Sequence, residues 1–207
     1  MANEITRLLP FRQYDENDVI NFYSFTAETG EAGSVVMVSS ANLDEESVKY
    51  TERTDSNSFD NTLGHGLSLY PYVPYKVEKT TGTGATMRPL GILLRDVRAK
   101  DENGENLLYY PEKKEELQCV VSGEAVPIAT RGLFTVNVNA LAGGIAPAIN
   151  SIAVCSTNGT LTGVPRDSAS SNQEKVHVGK FIATGQRESS NTTDAFAGSY
   201  AILKLEL

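Results

Sequence analysis

The side chains best suited to chemistry are few and scattered. The chain holds two histidines, His65 and His177, and two cysteines, Cys119 and Cys155. Neither histidine has a Cys or His at the short spacing that builds a tetrahedral zinc site. His65 lies in Leu63-Gly-His-Gly66, a loop, and His177 alternates between Val176 and Val178 on a strand-like run, so each reads as a structural histidine rather than a general base. Serines such as Ser34 and Ser122 lack both a neighbouring base and the Gly-x-Ser-x-Gly elbow that exposes a nucleophile. Thr81-Gly-Thr-Gly84 has the glycines of a phosphate loop, but no Lys-Ser/Thr follows it, and it reads as a turn. Asp55, Asn57 and Asp60 have cation-ligating side chains without the Gly and the distant Glu that a calcium loop needs. No catalytic, cofactor-binding or metal residue is therefore assigned, and the chain is expected to be no enzyme and to use no cofactor.

The remaining candidates are aromatic. Tyr70, Tyr72 and Tyr75 are interleaved with Pro71 and Pro74, and Tyr109 and Tyr110 are adjacent. Such rings serve either as a sugar platform or as core and subunit-interface groups. The absence of Trp weakens the sugar reading. Cys119 and Cys155 both sit inside apolar runs and are expected to be buried free thiols rather than a cross-strand disulfide, which fits folding in a reducing cytoplasm. Met1 to Arg7 leads into no apolar segment of the kind a signal peptide carries, and the sequons at Asn158 and Asn191 then read as chance matches in polar loops.

Bulk composition narrows the partners. The 207 residues are 40% hydrophobic and 21% charged, ordinary for a folded chain that buries a real core. A formal net charge of −8 opposes nucleic-acid binding, which needs surplus Lys and Arg at the phosphates. It also opposes adsorption to an anionic membrane, and no apolar run approaches the ~20 residues of a membrane span. Neither nucleic acid nor membrane is an expected partner.

The elements that would position these side chains read as strands. Leu133 to Ala140 alternates, with Phe134, Val136, Val138 and Ala140 on one face and Thr135, Asn137 and Asn139 on the other; this predicts one buried and one wet face. Tyr200 to Leu207 alternates likewise, with Ala201, Leu203, Leu205 and Leu207 inward and Lys204 and Glu206 outward. Shorter apolar runs at 22–40, 75–79, 89–97, 119–128, 152–155 and 175–183 are separated by turn signals, among them Asp101-Glu-Asn-Gly104 and Asn158-Gly159. A helical turn or two is plausible at Asn42 to Val48, a solvated charged turn at Pro111 to Glu116, and a mobile loop at Arg166 to Glu174. Some nine to eleven short strands with little helix give an all-β expectation: an antiparallel barrel or sandwich, of β-tulip or SH3-like character, with long polar loops at 40–66 and 156–175.

Residues 1–22 stand apart. Leu8, Leu9, Phe11 and Tyr14 recur without a clean period around Pro10, and Asp15-Glu-Asn-Asp18 follows. One reading packs this segment on its own domain. The other makes 1–22 an extended N-terminal arm, attached to a single β-rich domain at 23–207, whose apolar groups dock on a neighbour. As an arm it is removable without unfolding the domain, and with Tyr70, Tyr72 and Tyr75 it supplies the candidate interface residues.

Four segments, in order, carry a family likeness: Gly33-Ser-Val-Val36, Pro89-Leu-Gly-Ile-Leu-Leu94, Ser122-Gly-Glu-Ala-Val-Pro-Ile128 with the strand from Gly132 to Val138, and Val178-Gly-Lys-Phe181. In this ordering, over residues 22–207, the chain resembles the capsid decoration (cement) proteins of tailed bacteriophages. The resemblance implies a non-enzymatic structural protein that is made in the host cytoplasm, binds the exterior of the assembled capsid and bridges capsomers. It implies the major capsid protein as partner and a homotrimer at three-fold positions, with no catalytic residue to carry over. A β-rich carbohydrate-binding module of a tail fibre or adhesin is the alternative.

Overall fold

Apolar runs too short for helices, each broken by Gly, Pro, Asn or Asp, leave the backbone little choice but to satisfy its hydrogen bonds between strands. The computed structural model describes residues 6–39, 75–82, 87–188 and 196–207, with the backbone alone at Leu108, Asn172 and Lys175. Within them run β1 (Leu8–Gln13), β2 (Val19–Ile20), β3 (Ser24–Phe25), β4 (Val35–Val38), β5 (Lys76–Lys79), β6 (Pro89–Leu93), β7 (Val97–Arg98), helix α1 (Pro111–Glu116), β8 (Val120–Val121), β9 (Ile128–Ala129), β10 (Arg131–Asn137), β11 (Ile152–Cys155), β12 (Leu161–Val164), helix α2 (Ser171–Lys175), β13 (His177–Arg187) and β14 (Gly198–Glu206). The fold is all-β, and one of its sheets curls into a half-barrel.

A first six-stranded sheet has the order β1-β10-β14-β13-β11-β12, antiparallel throughout. A second has the order β2-β9-β6-β4-β5-β3, antiparallel except where β3 runs parallel to β5. A two-stranded ribbon of β7 and β8 completes the set. The centre of the first sheet is the pairing of β13 with β14, in which Gly179 faces Leu205. A Cβ at Gly179 would collide with the Lys204 carbonyl oxygen, and one at Gly91 with that of Ala129, so at these two points the strands approach as only glycine allows.

The second sheet is the middle layer. Val35, Ile92 and Ala129 join Leu8, Phe134, Val136, Phe181, Leu203 and Leu205 of the first sheet in one core. Their chain neighbours Val36, Leu93 and Ile128 point the other way and pack with Val97 and Val120 of the ribbon in another. Alternate side chains leave opposite faces of a strand, so a sheet covered on both sides must be apolar at consecutive positions. The runs Val35-Val36, Ile92-Leu93-Leu94 and Ile128-Ala129 follow from that.

Several expectations need correction. β10 ends at Asn137, whose side chain turns back to accept the Asn139 N–H at 3.0 Å and starts a single 3-10 turn over Val138–Ala140. Thr135 and Asn137 are buried, so the second face of β10 is not wet. In β14, Ala201, Leu203 and Leu205 are buried as the alternation requires, but Leu207 is exposed. Pro111–Glu116 has no buried residue, as a solvated charged turn should, and it winds into about a turn and a half of helix. Ser171–Lys175 is helical too, closed by a capping box in which the Ser170 hydroxyl accepts the Gln173 N–H and the Gln173 side chain accepts the Ser170 N–H. The segment 156–175 thus contains β12 and α2 and is not one polar loop. Most consequential, residues 8–13 form an edge strand of the first sheet, so this part of the N-terminal segment packs on the domain itself.

Candidate functional site

β1 holds the most unusual backbone of the described residues. Leu8 pairs with Val136 and Arg12 with Phe134, so three residues of β1 stand opposite a single one of β10. Leu9, Pro10 and Phe11 fill this bulge. Pro10 lacks an N–H and suits an edge position. Phe11 has φ of +82°, a left-handed conformation that a bulky side chain rarely adopts, and the residue is 65% exposed. A bulge re-aims side chains, and this one turns Phe11 out to solvent.

The floor beneath the bulge is built from the interior. Leu8 and Leu9 are each only 2% exposed, so neither can dock on a neighbour, and their assignment as interface residues is withdrawn: burial within the chain satisfies them. Tyr14 behaves differently. Its ring stacks on Phe134 with centroids 5.7 Å apart and planes 17° from parallel, and its outer side stays exposed. Gly132, at φ of +136°, lets this happen, since a Cβ there would lie 2.6 Å from the Gln13 carbonyl and 2.8 Å from the Tyr14 Cβ. Arg12 reaches inward to the Leu94 carbonyl at 3.3 Å. Burial pulls its guanidinium below the ordinary value, opposed by the nearby Tyr14 and Asp96, and an arginine remains charged through such a shift.

A salt-bridge cluster fixes the approach to β1. Glu31 accepts from Lys79 at 2.8 Å and pairs with Arg7 at 3.0 Å. Burial alone would raise the Glu31 carboxyl; the Lys79 hydrogen bond and the charge of Arg7 outweigh it and hold it below the usual range. The cluster ties the residue before β1 to β5, and so the first sheet to the second.

Further exposed apolar groups lie elsewhere among the described residues, including the adjacent Tyr109 and Tyr110 just before α1. Phe22 stacks on Tyr75 at 4.8 Å and 20°, with Tyr23 edge-on to Phe22 at 5.2 Å. Ile145 is 74% exposed, and Ile149 is exposed too, in the Gly/Ala/Pro loop after β10. Phe22 is the last apolar group of the N-terminal segment 1–22, whereas the isoleucines carry no local signal beyond an uncharged run from Asn139 to Ile152. Tyr70 and Tyr72, like His65 and the Asp55 to Asp60 run, lie outside the described residues.

Among the described residues the titratable groups make no converging site. Among the described residues no three His, Cys, Asp or Glu side chains gather as a metal would require. His177 is exposed, with Nδ1 2.6 Å from the Glu174 carbonyl oxygen. Cys119 and Cys155 are free and buried, and burial pushes the Cys155 thiol up to about 12. What the geometry offers is contact: rigidly seated aromatic rings on a sheet edge. No protein-family model, curated protein or solved structure matches this chain.

Proposed function

We propose that this is a non-enzymatic structural protein of a phage virion, which binds the outside of the assembled capsid and stabilises it by bridging capsomers. The observation that carries the reading is Phe11, a large apolar ring held in solvent on a strained backbone and a rigid floor. Left-handed backbone costs a non-glycine residue about 1–2 kcal/mol, and such strain persists where the surrounding structure over-determines it for a purpose. Aromatic side chains on preorganised supports are the usual anchors of protein interfaces.

The rest of the molecule suits this role. A shell expanded around packaged genome has seams between capsomers that internal pressure opens. A stiff three-layer β scaffold resists deformation when it spans such a seam. Net charge of −8 keeps unassembled copies apart in solution. Many modest contacts engaged together give avidity, which a trimer at a three-fold position supplies. The four segments that carry the likeness to cement proteins fall on or beside β4, β6, β9, β10 and β13, the strands of the two packed sheets. The test is density-gradient co-migration with shells of the encoding phage. Saturation at a fixed copy ratio supports the proposal, and absence of the protein from the shell band defeats it.

The Phe22–Tyr75 stack favours a second reading, a carbohydrate-binding module, because paired rings at a surface can receive a sugar face. Glycan-array binding that Phe22→Ala abolishes would favour it over shell decoration.

A further inference from the structure

We infer that Asn103 is a site of spontaneous deamidation and that the fold protects the chain's other described Asn-Gly pair, Asn158-Gly159, from the same reaction. Both pairs have the sequence chemistry. Glycine after asparagine leaves the attacking backbone nitrogen uncrowded. That nitrogen bonds to the side-chain carbonyl carbon of Asn, the bond from this carbon to the side-chain nitrogen breaks, and ammonia leaves carrying the proton from the backbone N–H. Water then adds to one carbonyl of the resulting succinimide ring and opens it to aspartate or isoaspartate. No electron is transferred, and water is the only co-reactant.

The two sites differ in whether the nitrogen can move. Asn103 and Gly104 are both exposed, Gly104 sits at φ of +84°, and nothing lies within 4 Å of where its Cβ would be. Its N–H donates to the Asp101 carbonyl at 3.2 Å, the long end of the hydrogen-bond range. Gly159 is buried instead. Its N–H donates to the Thr80 carbonyl at 2.9 Å, and a Cβ there would stand 3.0 Å from the Val35 carbonyl oxygen. The Asn158 carbonyl also accepts from Arg7 at 3.3 Å. Attack by Gly159 would break a buried hydrogen bond and displace backbone packed on β4.

The consequence at Asn103 is local. Asp101 Oδ1 accepts the N–H groups of Asn103 at 2.9 Å and Glu105 at 2.7 Å, while Lys113 pairs with both Asp101 and Glu105. Isoaspartate adds one main-chain atom inside this turn and a carboxylate beside three others. Conversion therefore loosens the 101–113 unit and marks the age of a molecule without touching β1.

The test incubates the full-length protein, native and in denaturant, in mildly alkaline buffer, and follows each site by peptide mass spectrometry and isoaspartyl methyltransferase labelling. In the native protein Asn103 is expected to convert at least about tenfold faster than Asn158, the penalty of breaking one buried backbone hydrogen bond. In denaturant the two rates converge. Equal native rates, or an intact Asn103 in the folded protein while the denatured chain converts, would overturn the inference.

Discussion

Phe11 is where strain and exposure coincide, so it separates a role in folding from a role in contact. Glycine at position 11 relieves the left-handed penalty but adds unfolded-state entropy, opposing effects of about 1–2 and 0.5–1 kcal/mol. Phe11→Gly should therefore shift unfolding free energy by no more than about 1.5 kcal/mol in chemical denaturation while weakening shell association. A loss of several kcal/mol would place Phe11 among the folding residues instead. At the thiols, burial and the raised value of Cys155 predict that neither cysteine reacts with an exposed-thiol reagent until the protein unfolds; labelling of the native protein in a thiol titration would contradict this. At the carboxylates, the Lys113 ion pair and backbone hydrogen bonds hold Asp101 below its ordinary value, and Glu31 is lowered as described. Folded values below unfolded ones mean that this stability is fully present above about pH 5 and is lost as pH falls through the unfolded and then the folded values. Between neutral and acid pH, Asp101→Asn and Glu31→Gln should each lose less stability than the parent; an unchanged pH slope would contradict the assignment.

At the scale of elements, β1 decides how the N-terminal segment is understood. Leu8 and Leu9 are buried, and burying such a side chain is worth about 1.5–3 kcal/mol. Removing residues 1–13 should therefore lower unfolding free energy by about 3–6 kcal/mol for the two side chains together, measured by denaturant titration. A truncated chain as stable as the parent would restore the arm. The sequence hid β1 because a Pro and a three-residue bulge destroy the period of two that marks a strand. It showed β14 plainly, where Ala201, Leu203 and Leu205 alternate with polar groups against a single core. In β10 the alternation located the strand yet misjudged its polar face, since burial of Thr135 and Asn137 depends on tertiary neighbours that no local pattern records. α2 was legible in principle: Ser170 followed three residues on by Gln173 is a capping signal, masked by a polar composition that reads as loop.

For the whole molecule, the all-β class followed from turn spacing, whereas the consecutive apolar positions in β4, β6 and β9 take on their meaning, a sheet covered on both faces, only in the fold. The surface was far less legible. Phe11 and Tyr14 were legible as contact groups, but the burial of Leu8 and Leu9 beside them and the exposure of Ile145 are properties of where strands end up, not of local pattern. Assembly lies at this scale as well. Electron cryomicroscopy of decorated shells tests the central claim most directly. The account predicts density outside the shell as three copies around a three-fold position, with the β1 edge bearing Phe11 and Tyr14 against capsid protein or a neighbouring copy. Shells without added density, or copies bound with that edge facing solvent, would contradict it.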